Sequence, residues 1–318
     1  MKRDITILIN KSEITAGTRG ASLGPEAIIV AARKANSNFF ANYSIDYIDD
    51  FNYLLDSEIK YPKAKRVVGL IKVFESVSSK IKSTLLNGQF PIVLAADHGS
   101  AGGTIAGIKA AFPTKRLGVI WIDAHGDLHT PYTTPSGNMH GMPLSTALGD
   151  DNKEEQVNTL TSDVIEMWEQ LKNIGISGAK ISPQDLVFIG VRDTEPQEDA
   201  LMKRLNITNH KVEELRRKGI GQIIDETLGQ LKECDMIYVS FDVDSMDPQL
   251  TSRGTGTPVE NGISPEEAEA LLKGFANEEK TVCIEFVEVN PCLDEKINKM
   301  AEVTFNLLEK TTSELEKK

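Results

Sequence analysis

At 318 residues, 40% of them hydrophobic and 26% charged, the chain has the make-up of a globular protein with a sizeable core, and its length allows one large α/β domain or two smaller ones. A formal net charge of −12 argues against nucleic-acid binding, which needs a basic face. Cys234, Cys283 and Cys292, with no C-x-x-C spacing, read as free thiols in a reducing, cytoplasmic setting, and no apolar run is long enough to be a membrane span.

Ile5 to Ile9 predicts a first strand, too short for a signal-peptide core. The glycine-rich stretch Gly17 to Pro25 lacks both the Gly-Lys-Ser/Thr of a phosphate loop and the G-x-G-x-x-G of a dinucleotide fold, so it reads as a loop shaping a pocket rim. Pro25 and Glu26 then open a helix. Ser44 to Ile48 predicts a second strand. From Pro62 to Leu86 the residues Val67, Leu70, Phe74, Val77 and Ile81 recur at helical spacing, and Gly88 closes that helix. Pro91 to Ala96 is a buried strand ending in Asp97-His98-Gly99-Ser100. Leu117 to Ile122 is another, ending in Asp123-Ala124-His125-Gly126-Asp127. In extended chain, residues two apart share a face, so Asp123, His125 and Asp127 converge if the strand geometry persists that far.

The Pro-, Gly-, Ser- and Thr-rich stretch 128–140 predicts a long irregular loop beside these acids. A helix runs through Leu144 and Leu148, and the polar, acidic residues 150–162 read as an exposed insertion. Leu186 to Val191 is a strand ending in Arg192-Asp193-Thr194-Glu195, with helical patterns at 197–204 and 212–232. Met236 to Phe241 is a strand ending in Asp242-Val243-Asp244, followed by a Gly/Thr-rich loop to Pro258. Ser264 and Glu267 have the spacing of a capping box. Thr281 to Val289 is the last strand, carrying Glu285 and Glu288. A helix near 294–310 precedes a charged tail expected to fray.

Strands alternating with helices predict one α/β domain over 1–318, with a central, mostly parallel sheet of about eight strands and helices on both faces. His98, Asp123, His125, Asp127, Asp242 and Asp244 all fall at C-terminal strand ends, the edge where parallel sheets bind ligands. Six candidates exceed the needs of one tetrahedral zinc. Four carboxylates and two imidazoles suit two divalent ions, Mn²⁺ ahead of Zn²⁺ or Mg²⁺. Two metals sharing a water bring its pKa to about neutral, which points to hydrolysis. The D-x-H, G-D and G-N-x-H fragments superficially match binuclear metallophosphoesterases. Here they are crowded into 123–140 instead of lying on separate strands.

Asp97-His98-Gly99, the Asp123 to Asp127 block and Ser240-Phe241-Asp242-Val243-Asp244 together resemble the ureohydrolase superfamily over nearly the whole chain. The loop Ser136 to Pro143 resembles the arginases in particular. The resemblance implies two Mn²⁺ ions per chain, one held by His98, Asp123, Asp127 and Asp242, the other by His125, Asp123, Asp242 and Asp244. It implies hydrolysis of L-arginine to L-ornithine and urea. Asp127 would orient the attacking hydroxide, His140 would shuttle a proton and Glu288 would pair with the guanidinium. Substrate contacts are expected at His129, Ser136, Asn138, Glu195, Glu198 and Thr257, and a homotrimer or homohexamer is expected as the assembly.

Three departures fall on the amino-acid side. Arginases usually carry Asn, contacting the α-carboxylate, where this chain has His129. They usually carry Asp, reading the α-amino group, where it has Glu195. The loop before Thr257 is one residue longer. No departure touches a metal ligand. The alternative readings are hydrolysis of another guanidino compound, such as agmatine, and a non-catalytic relative.

Overall fold

Apolar residues on successive strands serve two faces at once. The structure, a computed structural model, describes residues 3–317. Its strands are β1 (Ile5–Asn10), β2 (Ser44–Ile48), β3 (Phe90–Ala95), β4 (Leu117–Ile122), β5 (Leu186–Ile189), β6 (Thr208–His210), β7 (Met236–Asp242) and β8 (Thr281–Val287). They form one sheet in the order β2-β1-β3-β8-β7-β4-β5-β6, with every pair parallel. The helices are α1 (Gly24–Lys34), α2 (Val67–Leu86), α3 (Ala101–Ala111), α4 (Pro143–Leu148), α5 (Ser162–Lys172), α6 (Pro196–Leu205), α7 (Val212–Lys218), α8 (Ile220–Gln230), α9 (Pro265–Ala276) and α10 (Lys299–Leu315).

One sheet face presents Ile7, Ile92, Ile120, Val239 and Phe286 to α1, α8, α9 and α10. The other presents Leu8, Val93, Trp121, Phe188 and Tyr238 to α2, α3, α5 and α6. Each such side chain, fully buried, contributes about 1.5–3 kcal/mol. Covering both faces is what all-parallel strands require, and it explains why the strands read as continuous apolar runs. Because all strands run one way, the ends of β3, β4, β5, β7 and β8 come out along a single edge.

Several local readings change. β6 has the polar sequence Thr208-Asn209-His210 and carries no apolar signal, yet it pairs with β5 at the sheet edge. The helical pattern at 212–232 breaks at Gly219, whose φ of 88° lies where glycine is favoured, giving α7 and α8. Residues 162–172, assigned to no element above, form α5. Residues 150–162 are mostly exposed, as expected, and also strap the neighbouring loop: Asn158 donates to the carbonyls of Pro131 at 3.1 Å and Thr134 at 2.7 Å, and the Val157 amide to that of Tyr132 at 3.0 Å. The last helix runs on to Leu315 because Leu307, Leu308, Thr311 and Leu315 form a buried stripe. Among the described residues, no helix is long and apolar enough to cross a membrane.

Candidate metal centre and substrate cavity

His98 follows β3, with Gly99 at a point where a Cβ would lie 2.2 Å from Thr15 Oγ1, so only glycine lets the 15–16 loop approach. His98 Nδ1 lies 2.9 Å from Asp123 Oδ2, 3.1 Å from Asp242 Oδ2 and 3.2 Å from Asp127 Oδ2. Its ring stacks on Trp121, with centroids 3.9 Å apart and planes 2° apart, and its Nε2 meets Ser240 Oγ at 2.8 Å. His125 Nδ1 lies 3.1 Å from Asp244 Oδ2 and 3.5 Å from Asp123 Oδ1. Asp123 therefore turns one oxygen to each imidazole.

The strand geometry does not persist that far: β4 ends at Ile122, residues 123–124 bend, and His125 makes only an isolated parallel bridge to Asp193. Asp127 reaches the cluster by another route: its φ of 51° is left-handed, a conformation short polar side chains tolerate, and the turn brings the carboxylate back.

Whether this donor set suits a cation is decided by its unmet atoms. His98 Nδ1 and Asp123 Oδ2 are buried without a hydrogen-bond partner, although three carboxylate oxygens ring that nitrogen. With Nε2–H given to Ser240, the Nδ1 lone pair faces acceptors only, an arrangement that a positive ion between them relieves. Burial, and then the nearby Asp244 and Asp123 charges, push the Asp242 carboxyl well above its ordinary range. Burial and the Asp123 charge push Asp127 up to about 6. The groups His98–Asp123–Asp127 and Asp123–His125–Asp244 are each close enough to hold a metal ion, and Asp242 closes on the first through His98.

Beside the cluster lies a cavity of about 220 Å³. Every site residue expected from the sequence lines it except Asp123, which lies wholly buried beneath. Glu288 is on the floor, 4% exposed. Its φ of 69° ends β8 at Val287, two residues sooner than the sequence suggested, and its Oε1 accepts the His98 amide at 2.9 Å. Burial and then the Asp97 charge raise its carboxyl well above the usual range, so it calls for a cation. His140 Nδ1 lies 3.8 Å from Glu288 Oε1. Burial and then His125 depress that imidazole to about 4, which keeps it neutral near pH 7.

The mouth is built differently. Thr257 Oγ1 donates to Asp244 Oδ2 at 3.0 Å, and Ser136 is exposed. Lys65 Nζ donates to Asn138 Oδ1 at 2.9 Å. Gly137, φ 76°, lets the 136–138 loop pass against the Pro62 carbonyl, which a Cβ would meet at 1.8 Å. His129 Nε2 meets Glu195 Oε2 at 3.0 Å and lies 3.6 Å from Glu198 Oε2, while its Nδ1 meets Thr133 Oγ1 at 3.1 Å. Glu195 and Glu198 also form a capping box at the start of α6, with Pro196 between them at its first turn. The hydrogen bond to His129 draws Glu195 down to about 2, whereas burial lifts Glu198 to about 8.

A model of the arginase family matches residues 3–313. The arginase of Brevibacillus brevis is 34% identical over 309 residues, 97% of each chain. The crystal structure of Bacillus caldovelox arginase superposes with a TM-score of 0.81 at 31% identity over 98% of each chain. That of Entamoeba histolytica arginase in complex with L-ornithine does so with 0.82 at 26% identity over 99% of each. The chain belongs to the arginase family. It is thereby a hydrolase of guanidino carbon–nitrogen bonds, and the family is metal-dependent.

In this arginase-family chain four neighbours of the cluster carry no role in the sequence reading. Ser240 and Trp121 position the His98 ring, Asp193 Oδ2 lies 3.7 Å from His125 Nε2, and Lys65 orients Asn138. Ser240 was findable: it stands two residues before Asp242 on β7, on the same strand face. Lys65 was not, because it sits in a loop whose approach to Asn138 no local pattern records.

Proposed function

We propose that this chain hydrolyses L-arginine to L-ornithine and urea with two Mn²⁺ ions. The observation that carries the reading is the pair of unpartnered buried atoms, His98 Nδ1 and Asp123 Oδ2, ringed by acids and set beside a buried glutamate. His98, Asp123, Asp127 and Asp242 would hold one ion, and His125, Asp123, Asp242 and Asp244 the other; oxygen-rich ligation with some imidazole favours manganese. Bound there, such ions supply the charge that brings the pKa of water to about neutral. Asp127 accepts a hydrogen bond from that water and aims it. Glu288 accepts the N–H groups of the guanidinium, a pairing that planar geometry strengthens, and fixes its carbon over the cluster. Neutral His140 takes up a proton and delivers it to the leaving amine. Ser136, Asn138, Thr257, His129, Glu195 and Glu198 line the part of the cavity that would face the amino-acid end. That the Entamoeba histolytica relative was solved in complex with L-ornithine supports an amino-acid ligand for this cavity.

One catalytic domain spanning the chain, a homotrimeric or homohexameric assembly and a cytoplasmic location complete the proposal. The three free thiols, Cys234, Cys283 and Cys292, support a reducing compartment. Urea release from L-arginine and from agmatine by Mn²⁺-loaded protein, alongside its metal content, tests the reading. Two ions per chain and turnover of L-arginine ahead of agmatine are expected. Urea from neither compound, with both ions bound, would sink it.

A further inference from the structure

The hydrogen bonds at the cavity mouth discriminate between the two charged groups of an α-amino acid. Groups that could receive an ammonium are already committed. Glu198 Oε1 accepts the Leu128 amide at 3.0 Å and Oε2 the Glu195 amide at 3.2 Å. Glu195 Oε2 meets His129 Nε2, and the far side of that ring is tied to Thr133, so the imidazole is fixed in the place a substrate ammonium would take. His129 is 7% exposed and Glu198 3%, so neither turns aside cheaply. Two acidic groups keep solvent exposure: Glu195, whose side chain is 49% exposed but also accepts the Glu198 amide of the capping box, and Asp193, 66% exposed with Oδ2 facing His125. Both are solvent-screened.

Groups that could receive a carboxylate are uncommitted. Lys65 occupies the acceptor oxygen of Asn138, which leaves the side-chain NH₂ as donor. Ser136 Oγ accepts the Asn138 amide at 3.2 Å, which leaves its O–H to donate. The Lys65 charge stands behind Asn138.

We propose that this mouth recognises the carboxylate of its substrate and is nearly indifferent to the α-ammonium, so that ω-guanidino acids lacking an α-amino group are substrates alongside L-arginine. His129 serves as a built-in replacement for that ammonium. The inference rests on the guanidino-hydrolase reading given above and narrows its substrate class.

The test compares kcat/KM of the Mn²⁺-loaded protein for L-arginine, for 5-guanidinopentanoate (L-arginine without its α-amino group) and for agmatine (without its carboxylate). Calorimetric binding of L-ornithine and 5-aminopentanoate gives a readout independent of turnover. A solvent-screened ammonium contact changes affinity by no more than about tenfold, so 5-guanidinopentanoate is expected within about tenfold of L-arginine, with agmatine further behind. The two binding ligands are expected to differ as little. A loss of about a hundredfold or more on removing the α-amino group would need a desolvated ammonium contact and would overturn the inference while leaving arginine hydrolysis intact. Urea from none of the three would instead remove the reading it rests on. In His129→Asn the two glutamates lose their internal donor, and the preference for L-arginine over 5-guanidinopentanoate is expected to rise about tenfold. An unchanged ratio would show that His129 does not replace the ammonium.

Discussion

The floor and the mouth of the cavity are both crowded with acids and imidazoles, yet they differ in what their polar atoms touch. On the floor, His98 Nδ1 and Asp123 Oδ2 are buried with no hydrogen-bond partner. At the mouth, His129, Glu195 and Glu198 bind one another and the backbone. A buried polar atom without a partner is destabilising by about 1–3 kcal/mol, so a fold keeps several together only where something else binds. Atoms that already satisfy one another are structure first. The contrast separates a site that awaits charge from one that supplies its own.

Four experiments probe that contrast. The largest effect is expected at Asp123, whose two oxygens face both imidazoles. Asp123→Ala should lower bound metal as well as urea release, the latter by about a thousandfold or more, and full metal content in an inactive variant would contradict the bridging placement. Next is Glu288→Gln. It keeps the shape but loses the charge, and kcat/KM is expected to fall about a hundredfold with metal content unchanged.

His140→Asn should lower kcat by about tenfold to a hundredfold. It also carries a pH signature. The folded pKa of about 4 lies below the ordinary histidine value of 6.5, so the unfolded chain takes up a proton that folded His140 refuses. That contribution to stability is whole above pH 6.5 and is lost as pH falls toward 4. Between pH 7 and pH 5 the loss is at most about 2 kcal/mol, and urea-denaturation midpoints at the two values should shift less in the variant than in the parent. The smallest effect belongs to Lys65→Met at the mouth: KM for L-arginine should rise about fivefold with kcat held, and an equal fall in kcat would place Lys65 in the chemistry instead.

The strands and the Asp and His residues that cluster at their ends were legible in the sequence because one physical fact marks both. A buried parallel strand is apolar without interruption, and an abrupt run of Asp and His at its end, as after Ile122 and Phe241, has no structural excuse. What local pattern could not carry was anything set by distant pairing. β6 is polar throughout and owes its existence to β5. The left-handed turns at Asp127 and Glu288, which aim both carboxylates, leave no mark in residues of that type. The strap at 150–162 is acidic on paper, and its contacts to the 131–134 loop appear only in three dimensions. His129 could be recognised as a departure, but Glu195, its partner, lies 66 residues away.

The position of β8 has a consequence for assembly. It is the last of the described strands in chain order, and it pairs with β3 on one side and β7 on the other. Until it emerges from the ribosome, β2-β1-β3 and β7-β4-β5-β6 have no strand joining them, and His98 stands on one half while Asp123 and Asp242 stand on the other. Closing loops that span most of the chain is entropically unfavourable and slow. Chains lacking residues from Thr281 onward should therefore lose the ion that His98 would hold, whereas chains with β8 clear of the ribosome should bind both. Completion of the two-ion centre would thus wait on β8, the strand that joins the half carrying His98 to the half carrying Asp123 and Asp242.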